Sequence, residues 1–170
     1  IQVSLLQWHK NKYIHGILFM DLLKNFCLTF PIIYGGKLLK YDPEIQIPEV
    51  LKYLGDEIIF IQLIENNKKV EVYINTFIEA IKEYNNKPVL KLKGCAWIAD
   101  EQKNIVLNTI FNANKKNIQD DYKKKYFDII GYQMDIGFRI SKFATLSNFI
   151  ISIEIAIILL ENKSSWIDKV

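Results

Sequence analysis

Cysteine, arginine, histidine, glycine and proline are all scarce in this chain of 170 residues. Two cysteines, Cys27 and Cys95, stand far apart, which excludes a disulfide framework and a cysteine-rich zinc site and makes a reducing cytoplasm the expected setting. Only 7 Gly and 4 Pro accompany 50% hydrophobic and 24% charged residues, so collagen-like repeats, low-complexity scaffolds and disorder are excluded too. Charge of one sign is also lacking, because 22 basic and 19 acidic residues are mixed along the chain and leave a net +3. Nucleic acid is therefore not an expected partner. No hydrophobic run is long enough to span a bilayer: the most apolar stretch, residues 149–160, is short and carries Glu154 near its centre, so membrane insertion is not expected. The chain opens on Ile1 rather than methionine, which fits trimming or processing and leaves a preceding targeting segment open. What is present is enough apolar sequence for one domain over residues 1–170 with a core of its own.

Patterning along the chain predicts an α+β domain. Residues 14–21 form an apolar run that reads as a buried strand ending on Asp21. The spacing of Leu22, Leu23, Phe26 and Phe30 predicts a helix, which Gly35-Gly36 would end. Two strand-like runs, 50–54 and 57–64, meet at Gly55-Asp56, a tight-turn signal for a β-hairpin. Val70, Tyr73, Ile74, Phe77, Ile78 and Ile81 make the stripe of a second helix. Residues 89–98 read as a strand. The lysine-rich stretch 100–127 reads as irregular or mobile, with a short strand at 105–107. A helix over 134–144, a strand over 149–153 and a helix from Glu154 complete the order. That order, β-α-β-β-α-β then α-β-α, predicts a ferredoxin-like, palm-type antiparallel sheet covered by helices on one face.

Chemistry gathers at a few positions. Asp21 and Asp56 are predicted at neighbouring strand ends, where two carboxylates can hold two Mg²⁺ or Mn²⁺ ions against a triphosphate; singly, each also suits a helix cap or a turn. Arg139 is the only arginine among the 22 basic residues. Its rigid fork binds phosphate oxygens in a way lysine cannot copy. Asp135 lies four residues earlier, on the same helical face. His9 and His15 are read as solvent or interface histidines, Cys95 as a small core residue, Trp8, Trp97 and Trp166 as unconnected, and the lysines near 115 and 123 as solvated.

Three segments carry a resemblance. Ile17-Leu18-Phe19-Met20-Asp21 is similar to the apolar strand and first metal aspartate of the class III nucleotidyl cyclases. Lys52-Tyr53-Leu54-Gly55-Asp56 resembles their Lys-x-x-Gly-Asp hairpin. Phe127-Asp128, Gly131, Asp135 and Arg139 follow their aromatic-Asp-x-x-Gly, Asn, Arg pattern, with Asp135 where the family commonly has Asn. The wording of 93–99 and 135–144 looks most like the pyrimidine cyclases of Pycsar antiphage defence. The resemblance implies a class III cyclase-like fold and an enzyme that converts a nucleoside triphosphate, UTP or CTP before ATP or GTP, to its 3′,5′-cyclic monophosphate and pyrophosphate. It implies two Mg²⁺ or Mn²⁺ ions held around Asp21, Leu22 and Asp56, and a base pocket at Lys52, Tyr53 and Asp128. It also implies catalytic Asp135 and Arg139 supplied across a homodimer, and a separate effector that reads the cyclic nucleotide. An adenylate or guanylate cyclase, and a catalytically silent nucleotide-binding dimerisation module, are the alternatives.

Overall fold

The computed structural model describes residues 2–7, 16–86, 90–100, 104–109 and 126–162. Along the chain run β1 (Gln2–Gln7), α1 (Gly16–Tyr41), β2 (Glu49–Leu54), β3 (Glu57–Ile61), α2 (Val70–Asn85) and β4 (Lys91–Ala96). Then come β5 (Asn104–Thr109), β6 (Tyr126–Gly131), α3 (Tyr132–Ile140), β7 (Ile150–Ile151) and α4 (Ile153–Glu161). The fold is α+β. One sheet has the order β2-β3-β1-β4-β7, and β5 pairs with β6. β1 runs antiparallel to both of its neighbours, β2 and β3 form an antiparallel hairpin, and β7 lies parallel to β4.

The hairpin forms where the turn signal sits. Gly55 takes a left-handed φ of 60°, open to glycine without steric cost, and Leu54 then pairs with Glu57. Successive side chains of β3 alternate between the faces of the sheet. Ile58 and Phe60 join a core with Phe26, Phe30, Tyr34 and Leu38 of α1 and Tyr73, Phe77, Ala80 and Ile81 of α2. Aromatic edges meet faces throughout it: Tyr34 and Phe77 centroids are 4.9 Å apart and Phe30 and Phe77 5.5 Å, a geometry that adds to simple area burial. The Tyr34 hydroxyl donates to the Tyr73 carbonyl at 3.2 Å, and burial lifts its phenol well above the ordinary range. α4 closes a second cluster, with Ile155 and Leu159 against Val70, Ile74 and Ala96.

Four expectations are corrected. Residues 16–21 are the start of α1, not a strand; residues 14 and 15 lie outside the described residues. The run is apolar on every side, so its pattern does not separate a buried strand from a helix, and the central strand position is taken by β1. Gly35-Gly36 does not end α1. Gly35 packs so closely on Ile47 that a Cβ would stand 3.3 Å from that side chain, and the helix continues to Tyr41 with Pro31 inside it. Residues 126 and 127, expected within the irregular stretch, open β6, which makes Asp128 a strand residue. The helices are not confined to one face either. Lys52 pairs with Ile59, on the side away from α1 and α2, and Phe138 of α3 meets it there.

Candidate functional site

The most constructed feature on that side is α3. Gly137 sits against Trp97 so tightly that a Cβ would fall 2.2 Å from the indole, hence only glycine allows the approach. Phe138 lies 5.9 Å from the Trp97 ring, and Lys52 Nζ stands 6.0 Å from the Phe138 centroid, at the outer reach of a cation–π contact. The Asp100 backbone N–H donates to Gln133 Oε1 at 2.7 Å. These contacts fix α3 against the end of β4 and the β2–β3 hairpin. Its outer face carries Asp135 and Arg139, joined by an Nε–Oδ2 hydrogen bond of 2.8 Å, with side chains 54% and 73% exposed respectively. Because the bond uses Nε, the end-on edge formed by the two terminal guanidinium nitrogens faces outward unoccupied by Asp135.

The hairpin supplies the other half. Asp56 is exposed at its tip. Tyr53 is half exposed, and its phenol is raised first by burial and then by the nearby Cys27, which sets β2 beside the first half of α1. Asp128 pairs with Leu107 in the backbone of the β5–β6 ladder, and β6 touches β2. Lys52 and Tyr53 thus share with Asp128 a pair of touching strands, but as consecutive residues of β2 they point to opposite faces of the sheet, Lys52 toward Phe138 and Tyr53 toward Cys27. Tyr132 opens α3 and is exposed.

Asp21 is the exception. It is exposed in the second turn of α1, in line with Leu28 and Ile32 and opposite the Phe26, Phe30, Tyr34 and Leu38 stripe that packs on the sheet. Leu22, on the inward side, packs against the core. Neither residue ends a strand. The strand that does end beside the hairpin is β1, which passes Glu57 at Ser4 and finishes in Leu5-Leu6-Gln7; no acid occurs among the first 20 residues. Asp21 and Asp56 thus do not form the expected pair of strand-end carboxylates, and among the described residues no three His, Cys, Asp or Glu side chains come together to hold an ion. Nor does any contact among the described residues join Asp56 to Asp135 or Arg139. His9, His15, Trp8, Trp166 and the lysines near 115 and 123 lie outside the described residues.

Sequence reading missed Trp97, Gln133, Gly137 and Phe138 as the supports of α3. The glycine inside a helical pattern was the available signal, since it marks a close approach. A cavity of about 280 Å³, bordered by Glu44, Gln46, Gln62, Glu65 and Tyr73, opens at the other end of β3, well away from α3 and the hairpin tip. Compared with protein-family models, with curated proteins and with solved structures, the chain matches none of them.

Proposed function

We propose that the chain is a nucleotidyl cyclase-type domain that takes a nucleoside triphosphate, UTP or CTP before ATP or GTP, and forms its 3′,5′-cyclic monophosphate. The observation that carries this reading is the β2-β3-β1-β4 order built from β-α-β-β-α-β, the ferredoxin-like connectivity of a palm-type sheet. It sets the Gly55-Asp56 tip beside the end of the central strand, on a hairpin whose Lys52 meets α3, the helix of the sole arginine. In the reaction the ribose 3′-oxygen attacks the α-phosphorus, the bond to the β-phosphate breaks, and pyrophosphate leaves. Lys52, on the α3 side of the hairpin, borders the base, and Arg139 meets the charge that builds on the phosphates. Asp135 and Arg139 would act from a second copy in a C2 dimer.

A pair of Mg²⁺ or Mn²⁺ ions needs several oxygen ligands at one place, and among the described residues no three His, Cys, Asp or Glu side chains gather at the hairpin tip. The pair does not fit this arrangement, and no step is assigned to it. That same observation favours a second reading, a nucleotide-binding dimerisation module without turnover. Incubating the full chain with each of the four nucleoside triphosphates and Mn²⁺, and identifying products by mass, separates the two. The cyclase reading expects a cyclic pyrimidine nucleotide as the main product, lost in Arg139→Ala. Saturable binding without any product would establish the second reading instead.

A further inference from the structure

α3 turns three of its 9 residues fully toward solvent, Tyr132, Asp135 and Arg139, while Met134 and Gly137 are buried and the others half-buried. Spaced three and then four residues apart, the exposed three form one stripe along the helix. Asp135 and Arg139 occupy each other through their Nε–Oδ2 bond. Tyr132 has no such explanation. Its side chain is 74% exposed, the most open large hydrophobic side chain among the described residues, and it stands apart from the contacts with Trp97 through which Gly137 and Phe138 seat the helix.

The two ends of the stripe offer different chemistries. An open aromatic ring takes the flat face of a base by stacking, and the outward edge of a guanidinium takes phosphate oxygens in pairs. Seven residues of helix set these groups about 10 Å apart along the axis, which is the reach of an extended nucleoside triphosphate from its base to its outer phosphates. Asp135 decides which end is which. Its carboxylate lies in the first turn, one turn from Tyr132, where it supplies the negative charge a helix N-terminus favours and repels phosphate from that end. We infer that Tyr132 is the base-stacking residue of the α3 site, so that a nucleotide lies along the helix with its base on the phenol ring and its outer phosphates at Arg139. The inference rests on the nucleotide reading above and deepens it. Because all three groups ride on one helix, it holds whichever copy supplies the hairpin with Lys52.

The test is calorimetric titration of the full chain, with Mn²⁺ present, by UTP and separately by inorganic triphosphate, which has the phosphates and no base. Tyr132→Ala replaces an exposed side chain, and circular dichroism verifies that it folds. It should weaken UTP binding about tenfold and leave inorganic triphosphate binding unchanged. Tyr132→Trp, which keeps a stacking surface, should retain the wild-type affinity for UTP, and Arg139→Ala should weaken both ligands. UTP binding that Tyr132→Ala leaves unchanged would overturn this inference alone. So would an equal loss of both ligands in Tyr132→Ala, the mark of a displaced helix. A wild-type chain that binds no nucleoside triphosphate would overturn the nucleotide reading and this inference with it.

Discussion

The two faces of the sheet are held in different ways. Beneath α1 and α2, Phe26, Phe30, Tyr34, Phe60, Phe77 and Tyr84 interlock edge to face, and most are fully buried. On the other face α3, a helix of 9 residues with Met134 buried, is held by Gly137 and Phe138 against Trp97, by Lys52 near the Phe138 ring and by a backbone-to-glutamine hydrogen bond. The first face carries stability. The second holds the chemistry-bearing groups, Lys52, Asp135 and Arg139, near solvent on a support that can be removed without emptying the core. Folding stability and the proposed nucleotide contact are therefore separable by mutation.

The largest effect is expected in the aromatic core. Phe77 touches Phe30, Tyr34, Phe60 and Phe149, so Phe77→Ala should cost about 3–5 kcal/mol, read as a lower midpoint in urea denaturation. A smaller loss, about 1–3 kcal/mol, is expected for Gly137→Ala, because the new methyl overlaps Trp97 and pushes α3 outward. Here the sharper sign is functional: nucleotide binding should fall while the near-ultraviolet circular dichroism of the Phe–Tyr core is kept. Equal losses of both signals would break the contrast between the faces. The mildest effect concerns Cys95, on the α3 face of β4. Burial pushes its thiol from 9.0 up to about 12. Between those values the unfolded chain has lost the proton that the folded chain keeps, so stability falls as pH rises through that window and is unaffected by this group below it. Cys95→Ala should flatten that alkaline slope in a series of thermal melts.

The elements that could be read in advance share a property: their signals were local. Gly55-Asp56 names its own turn, and the α2 stripe has a polar side that fixes which way it faces. α1 has no such contrast. Leu22, Phe26 and Phe30 point inward while Leu28 and Ile32 point outward, so neither its face nor its length follows from periodicity, and its Pro31 and Gly35-Gly36 suggest an end that tertiary packing overrides. The site was legible to the same degree. Lys52, Tyr53, Asp56, Asp135 and Arg139 fall on the hairpin and on α3 as expected, because each was tied to a turn or a helical spacing. Asp21 was tied instead to the assignment of a strand and moved with it. The supports of α3 depend on Trp97, 40 residues before Gly137 in the numbering, and a contact that distant leaves little trace in a local pattern.

The claim that the hairpin and α3 together receive a nucleoside triphosphate is tested most directly by calorimetric titration of UTP, with Mn²⁺ present, into the wild-type chain and Arg139→Ala. The account predicts saturable binding to wild type, weakened about tenfold or more in Arg139→Ala because the only guanidinium fork is gone. Absence of binding by any of the four nucleoside triphosphates, or binding that Arg139→Ala leaves unchanged, would contradict it.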